Sequence, residues 1–171
     1  MKNFIAFLSA LSVVGLVSVW ADRPANTYAF QRDTLISSAQ VLLLNTTPIE
    51  VVPAPGSGFY LEFIRAEIFL DYGGIAYVAA AGEDFHIKYT NGSGITIGTV
   101  LDGDTFEATA DTLVISTQRS VDAPGTGQSV PVENAALVAY IDPANWDTGN
   151  SPLKIRVFYR VVSKAELEAI S

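Results

Sequence analysis

The chain has 171 residues, 49% hydrophobic and 16% charged, enough for one domain with a substantial core, and this composition excludes disorder as its general state. Ten Lys and Arg stand against 18 Asp and Glu, a net charge of -8 with no basic run, so binding to a phosphate backbone is disfavoured and no nucleic-acid partner is expected. The absence of cysteine excludes disulfides, thiolate catalysis and cysteine-ligated metal centres.

The first element in chain order is Met1 to Ala21, MKNFIAFLSALSVVGLVSVWA, with one lysine, an uncharged apolar middle and a small residue before Asp22. Three readings stay open. It has the layout of a secretory signal peptide cut after Ala21. Phe4 to Trp20 is also at the short limit for crossing a bilayer of roughly 30 Å, which would make residues 1-21 a membrane contact. The third reading is an apolar arm buried against a partner subunit. Residues 22-33, DRPANTYAFQRD, contain Pro24 and no clean periodicity, and read as a linker or extended arm.

The body, residues 34-162, reads as strands. Ile49 to Val52 is a short candidate. Gly58 to Tyr72 is the longest apolar run, and its alternation changes phase: Phe59, Leu61 and Phe63 share one face, Ile64, Ala66, Ile68 and Leu70 the other. A continuous strand can keep both sets toward one core only through a bulge or a bend. Ile75 to Ala79, Phe85 to Tyr89, Gly94 to Gly98, Leu113 to Thr117 and Ala136 to Asp142 are further short candidates. Asn91-Gly92 predicts a tight primed hairpin turn, because both residues tolerate positive φ.

In SPLKIRVFYRVV, Leu153, Ile155, Val157, Tyr159 and Val161 alternate with Lys154, Arg156, Phe158 and Arg160, the period of a half-buried antiparallel strand. Turn-forming clusters, PAPGSG, DYGG, LDGDT, DAPGTGQ and DPANWDTGNSP among them, separate the candidates. The pattern predicts an all-β fold, an antiparallel β-sandwich or a jelly-roll-like barrel. Ser163 and Glu166 fit a capping box, so residues 163-171 are expected to form a short C-terminal helix or tail, with Lys164 to Ile170 helical.

No catalytic constellation stands out. His86, the single histidine, alternates with Phe85 and Ile87 and is expected on the outer face of its strand, exposed or at an inter-subunit contact; no G-x-S-x-G nucleophile motif accompanies it. Asp102, Asp104 and Glu107 offer oxygen ligands of the kind calcium prefers, as do Asp142, Asn145, Asp147 and Asn150, but the spacing of a calcium loop is missing and solvated turns are the plainer reading. The glycines from Gly56 to Gly82 lack the Lys-Ser/Thr of a phosphate loop. Asn45 and Asn91 each open a glycosylation sequon, a pattern short enough to arise by chance. Trp146 either stands exposed, to stack on a sugar or anchor an interface, or folds back as a lid over one end of the sandwich. Arg156 and Arg160, on the polar side of the last strand, are the remaining candidate interaction residues, and acidic partners there would set register more than affinity. No metal or cofactor is expected.

The stretch SAQVLLLNTTPIEVVPAPGSGFYLEFIRAEIFLDYGGIAYVAAAGEDFHIKYTNGSG, followed by GNSPLKIRVFYRVV, resembles a family of small bacteriophage virion proteins, head decoration or cement-like β-sandwiches, over about Leu35 to Val162. The resemblance implies a non-enzymatic structural protein located in the virion, a homo-oligomer that binds the major capsid protein or other virion proteins and carries no cofactor. Residues 1-21 depart from the family pattern. They leave room for the alternative, an exported or periplasmic β-sandwich binding carbohydrate or a surface through Trp146.

Overall fold

The computed structural model describes residues 29–118 and 131–169. The apolar segment 1-21, residues 22-28 of the expected linker, the DAPGTGQ cluster and Ile170 lie outside the described residues. The described chain forms β1 (Phe30–Ile36), α1 (Ser38–Val41), β2 (Ile49–Val52), β3 (Phe59–Leu70), β4 (Asp84–Tyr89), β5 (Thr112–Thr117), β6 (Leu137–Asp142), β7 (Leu153–Ser163) and α2 (Lys164–Glu168). Strands dominate and both helices are short, as the all-β reading expects.

The strands form two antiparallel sheets. Sheet A has the order β1-β7-β3-β5 and sheet B the order β2-β6-β4. The irregular run 95–101 lies antiparallel along β4, through bridges Lys88↔Thr96 and Phe85↔Leu101, and then reaches sheet A through Gly98↔Gln118. Counted as a strand between β4 and β5, it gives an eight-strand succession 1-8-3-6 over 2-7-4-5, the order of a jelly roll.

β3 shows how the change of phase is absorbed. Its register on β7 shifts between Phe63 and Arg65, leaving Ile64 as the extra residue of a bulge. Leu61 and Phe63 before the bulge and Ala66, Ile68 and Leu70 after it are all buried. With Leu153, Ile155 and Val157 of β7 and Phe85, Ile87, Leu137, Ala139 and Ile141 of sheet B, they build one core. Each such large apolar side chain contributes about 1.5–3 kcal/mol by leaving water.

Three expectations are corrected and one element was not anticipated. β1 starts at Phe30, so the last residues of the supposed linker are a paired strand, held on β7 from Phe30↔Tyr159 to Ile36↔Leu153. Ile75 to Ala79 is a loop with one bridge, Val78↔Asp147, because its backbone is drawn to the 147–150 turn and not to a neighbouring strand. The tight Asn91-Gly92 turn is absent: positive φ falls on Thr90, and Tyr89 N–H donates to Ile95 O at 3.0 Å across a longer loop. Gly92 is needed there for space, since a Cβ would lie 2.4 Å from the Tyr140 ring. α1 was not expected, although Ser37 and Gln40 form a capping box around it. Among the described residues no helix is long and apolar enough to cross a membrane.

Candidate functional site

The residues that sequence reasoning singled out do not meet in one place. Trp146 is 2% exposed and donates from Nε1 to Glu83 O at 2.7 Å. Its ring packs on Phe106 and Tyr77, with centroids 5.0 and 5.5 Å away. Gly103 lies beneath it, where a Cβ would come 2.4 Å from Glu83 O. Trp146 is therefore the lid, and the exposed stacking platform is overturned.

The polar residues of its loop are committed as well. Asn145 Oδ1 accepts from Asn45 N–H at 2.8 Å, and Asn150 Oδ1 accepts from Ile75 N–H at 2.9 Å. In the other acidic loop, Asp102 Oδ1 accepts from Asp104 N–H, and Glu107 Oε1 accepts from Ala79 N–H at 2.7 Å. These carboxylates shape turns. Among the described residues no three His, Cys, Asp or Glu side chains converge on one point.

His86 lies on the outer face of sheet B as alternation predicts, opposite Tyr140. It is half-buried, not exposed, because the 95–101 run covers that edge and brings Thr96 Oγ1 within 3.3 Å of Nδ1. Lys88 on the same face is only 6% exposed. Its ammonium donates to Gly92 O at 2.8 Å, stands 3.4 Å from Asp142 Oδ2 and sits over the Tyr140 ring. The chain's own hairpin thus covers the β4 edge of this face around Lys88.

The outer face of sheet A is different. Strand registry sets it out in rows across β1, β7, β3 and β5: Leu35, Lys154, Phe69, Leu113; then Asp33, Arg156, Glu67, Ile115; then Gln31, Phe158, Arg65, Thr117. Arg160 and Glu62 follow on the two inner strands. Arg156 grips Asp33 with two hydrogen bonds of 2.7 and 2.8 Å, and this holds the Asp33 carboxyl below the usual carboxylate range while raising the guanidinium above its own. Arg65 pairs with Glu67 at 2.8 Å and lies 4.4 Å over the Phe158 ring. Lys154 reaches Asp71 and Arg160 reaches Glu62, each at 2.7 Å. Arg156 and Arg160 are thus tied within their own sheet.

Sequence reasoning missed the apolar part of this face. Leu35 is 66%, Leu113 60% and Ile115 47% exposed, while Ser116 of the same strand is buried and donates to Thr99 O at 2.9 Å. β5 therefore turns Val114 and Ser116 inward and its leucine and isoleucine to solvent. The Ser116 position must be small, because the 95–101 run crosses it at Gly98, where a Cβ would meet Ser116 Oγ at 2.3 Å. The signal was present in TLVIST, which is apolar at three successive positions, but a strand apolar on both faces does not say which face is covered. Between Leu35 and Leu113 lies a shallow open depression of about 470 Å³, lined also by Lys154, Arg156, Glu67 and Phe69. Its ionic groups are matched to one another and its apolar groups are free to contact another molecule. Such a surface can bind.

No protein-family model matches the chain. No curated protein matches it either. Among solved structures, the capsid of Ralstonia phage GP4 is similar, with a TM-score of 0.39, 15% sequence identity, and coverage of 81% of this chain and 86% of that one.

Proposed function

We propose that the chain is a non-enzymatic virion structural protein, of the capsid decoration or cement kind, that docks on neighbouring subunits of the shell, its own copies included, through the outer face of sheet A. The observation that carries the reading is strand β5, apolar on both faces, which packs Val114 on the core and leaves Leu113 and Ile115 in solvent. Two large apolar side chains held in solvent on a strand whose other face already packs on the core mark a place where function sets the side chains. The exposed apolar groups lie on rigid strands and not on loops, which suits repeated docking in a shell, where many modest contacts add.

The jelly-roll order supports this reading by analogy only, since capsid proteins and lectins both use it. The choice between them comes from the site. The carbohydrate alternative has lost the tryptophan it was built on, and the polar residues around Trp146 are spent on backbone partners. The likeness of the LDYGGIAY, AGEDFHIKYTNGSG and SPLKIRVFYRV segments to small phage virion proteins points the same way. Quantitative mass spectrometry of purified particles tests the proposal. It should find the chain at a fixed copy number relative to the major capsid protein, and its absence from the particles would refute the assignment.

A further inference from the structure

We propose that the outer face of sheet A is self-complementary and binds the same face of a second copy about a two-fold axis parallel to the strands, between β7 and β3. The inference does not depend on a virion role; it follows from the registry of the rows.

Such an axis keeps each row level and reverses the strand order, so β1 faces the partner copy's β5 and β7 faces its β3. Leu35 then meets Leu113, Arg156 meets Glu67, Phe158 meets Arg65 and Arg160 meets Glu62. The three oppositions that involve arginine repeat a pairing chemistry that the sheet already uses within one chain: carboxylate to guanidinium, and guanidinium to aromatic ring. Asp33 falls opposite Ile115, but it lies on the edge strand, with its carboxylate held by Arg156 and open to water at the rim. The two sheets would pack aligned, as sandwich sheets do at about 10 Å.

Charge supports a second copy over a foreign partner. Arg65, Lys154, Arg156 and Arg160 are matched on this face by Asp33, Glu62, Glu67 and Asp71. The entire net charge of -8 is therefore carried by the rest of the chain. Two such acidic chains repel along most approaches, and here they meet neutral surface against neutral surface. The area is sufficient: at about 16 Å² of sheet per residue the four strands span about 600 Å² in projection, comparable with the roughly 800 Å² per partner of a stable interface.

The test uses the full chain. Sedimentation velocity over a dilution series should show a monomer–dimer equilibrium, and Leu113→Glu with Ile115→Glu, both solvent-exposed and so tolerable to the fold, should weaken it by about 30-fold or more. An unchanged equilibrium in the double variant, or a wild-type monomer at every concentration, would overturn the inference. Because the chain has no cysteine, Leu35→Cys and Leu113→Cys each introduce one thiol. Mixing the two should give cross-linked dimers with a bismaleimide spanning about 10 Å, whereas either variant alone should give none, since like edges stand three strand spacings apart, about 14 Å. Equal cross-linking in the unmixed samples would contradict the two-fold arrangement.

Discussion

Replacing Trp146 separates a structural lid from a ligand platform. Trp146→Ala removes one of the largest fully buried side chains, and truncations of that kind cost about 3–5 kcal/mol. It also removes the indole donor to Glu83 O, and a partly buried carbonyl left without its partner adds about 1–3 kcal/mol. The total, about 4–8 kcal/mol, is a large share of the 5–15 kcal/mol that holds a domain folded. Trp146→Phe keeps an aromatic ring against Phe106 and Tyr77 but loses the hydrogen bond and part of the volume, so it should cost about 2–3 kcal/mol. Urea titrations followed by far-ultraviolet circular dichroism measure both. A loss below about 1 kcal/mol for Trp146→Ala, the usual result for an exposed site, would refute the lid.

Burial pushes the Tyr89 hydroxyl, which donates to Leu61 O, up to about 12. Its folded value lies above the unfolded one near 10, so its contribution is complete below about pH 10 and is lost between about pH 10 and 12, at up to about 1.4 kcal/mol per pH unit; Tyr89→Phe should flatten that decline in denaturation midpoints. Glu133 is held below its ordinary range by Gly58 N–H and Lys164, so its contribution is present above about pH 4.3 and fades as the pH falls further; Glu133→Gln should remove that acid dependence. Gly94→Ala would place a Cβ 1.6 Å from Tyr89 O and force the hairpin over Lys88 to move, so amide hydrogen exchange should quicken through residues 88–97 while sheet A keeps its protection. Arg156→Met should change monomer stability by no more than about 1 kcal/mol, because its ion pair with Asp33 is exposed; a larger loss in urea would mean that the pair holds the sheet itself.

The strands that could be read from the chain were those whose pattern has one solution. In β7 every second residue is apolar and its neighbours are mostly charged, so a single face can be buried. In β3 the phase change at Ile64 announced the bulge because no straight strand buries both halves. β1 escaped notice because FQRDTLI is an edge strand with most residues in water, and its pairing is dictated by β7, far along the chain. The Asn91-Gly92 signal was overruled from a distance: Tyr89 is drawn inward to Leu61 O, and Gly92 is pressed against Tyr140. Trp146 could not be placed either, since its burial depends on Gly103, Phe106 and Glu83 O, all far away in sequence. The orientation of β5, on which the candidate site rests, is set by the crossing at Gly98, and no alternation rule anticipates it.

The central claim is that the outer face of sheet A is a contact surface in an assembled shell. Electron microscopy of purified particles, at a resolution that shows side chains, tests it directly. Leu35, Leu113 and Ile115 should lie against a neighbouring subunit in every copy. Particles that contain the chain but leave those three residues open to solvent would contradict the account.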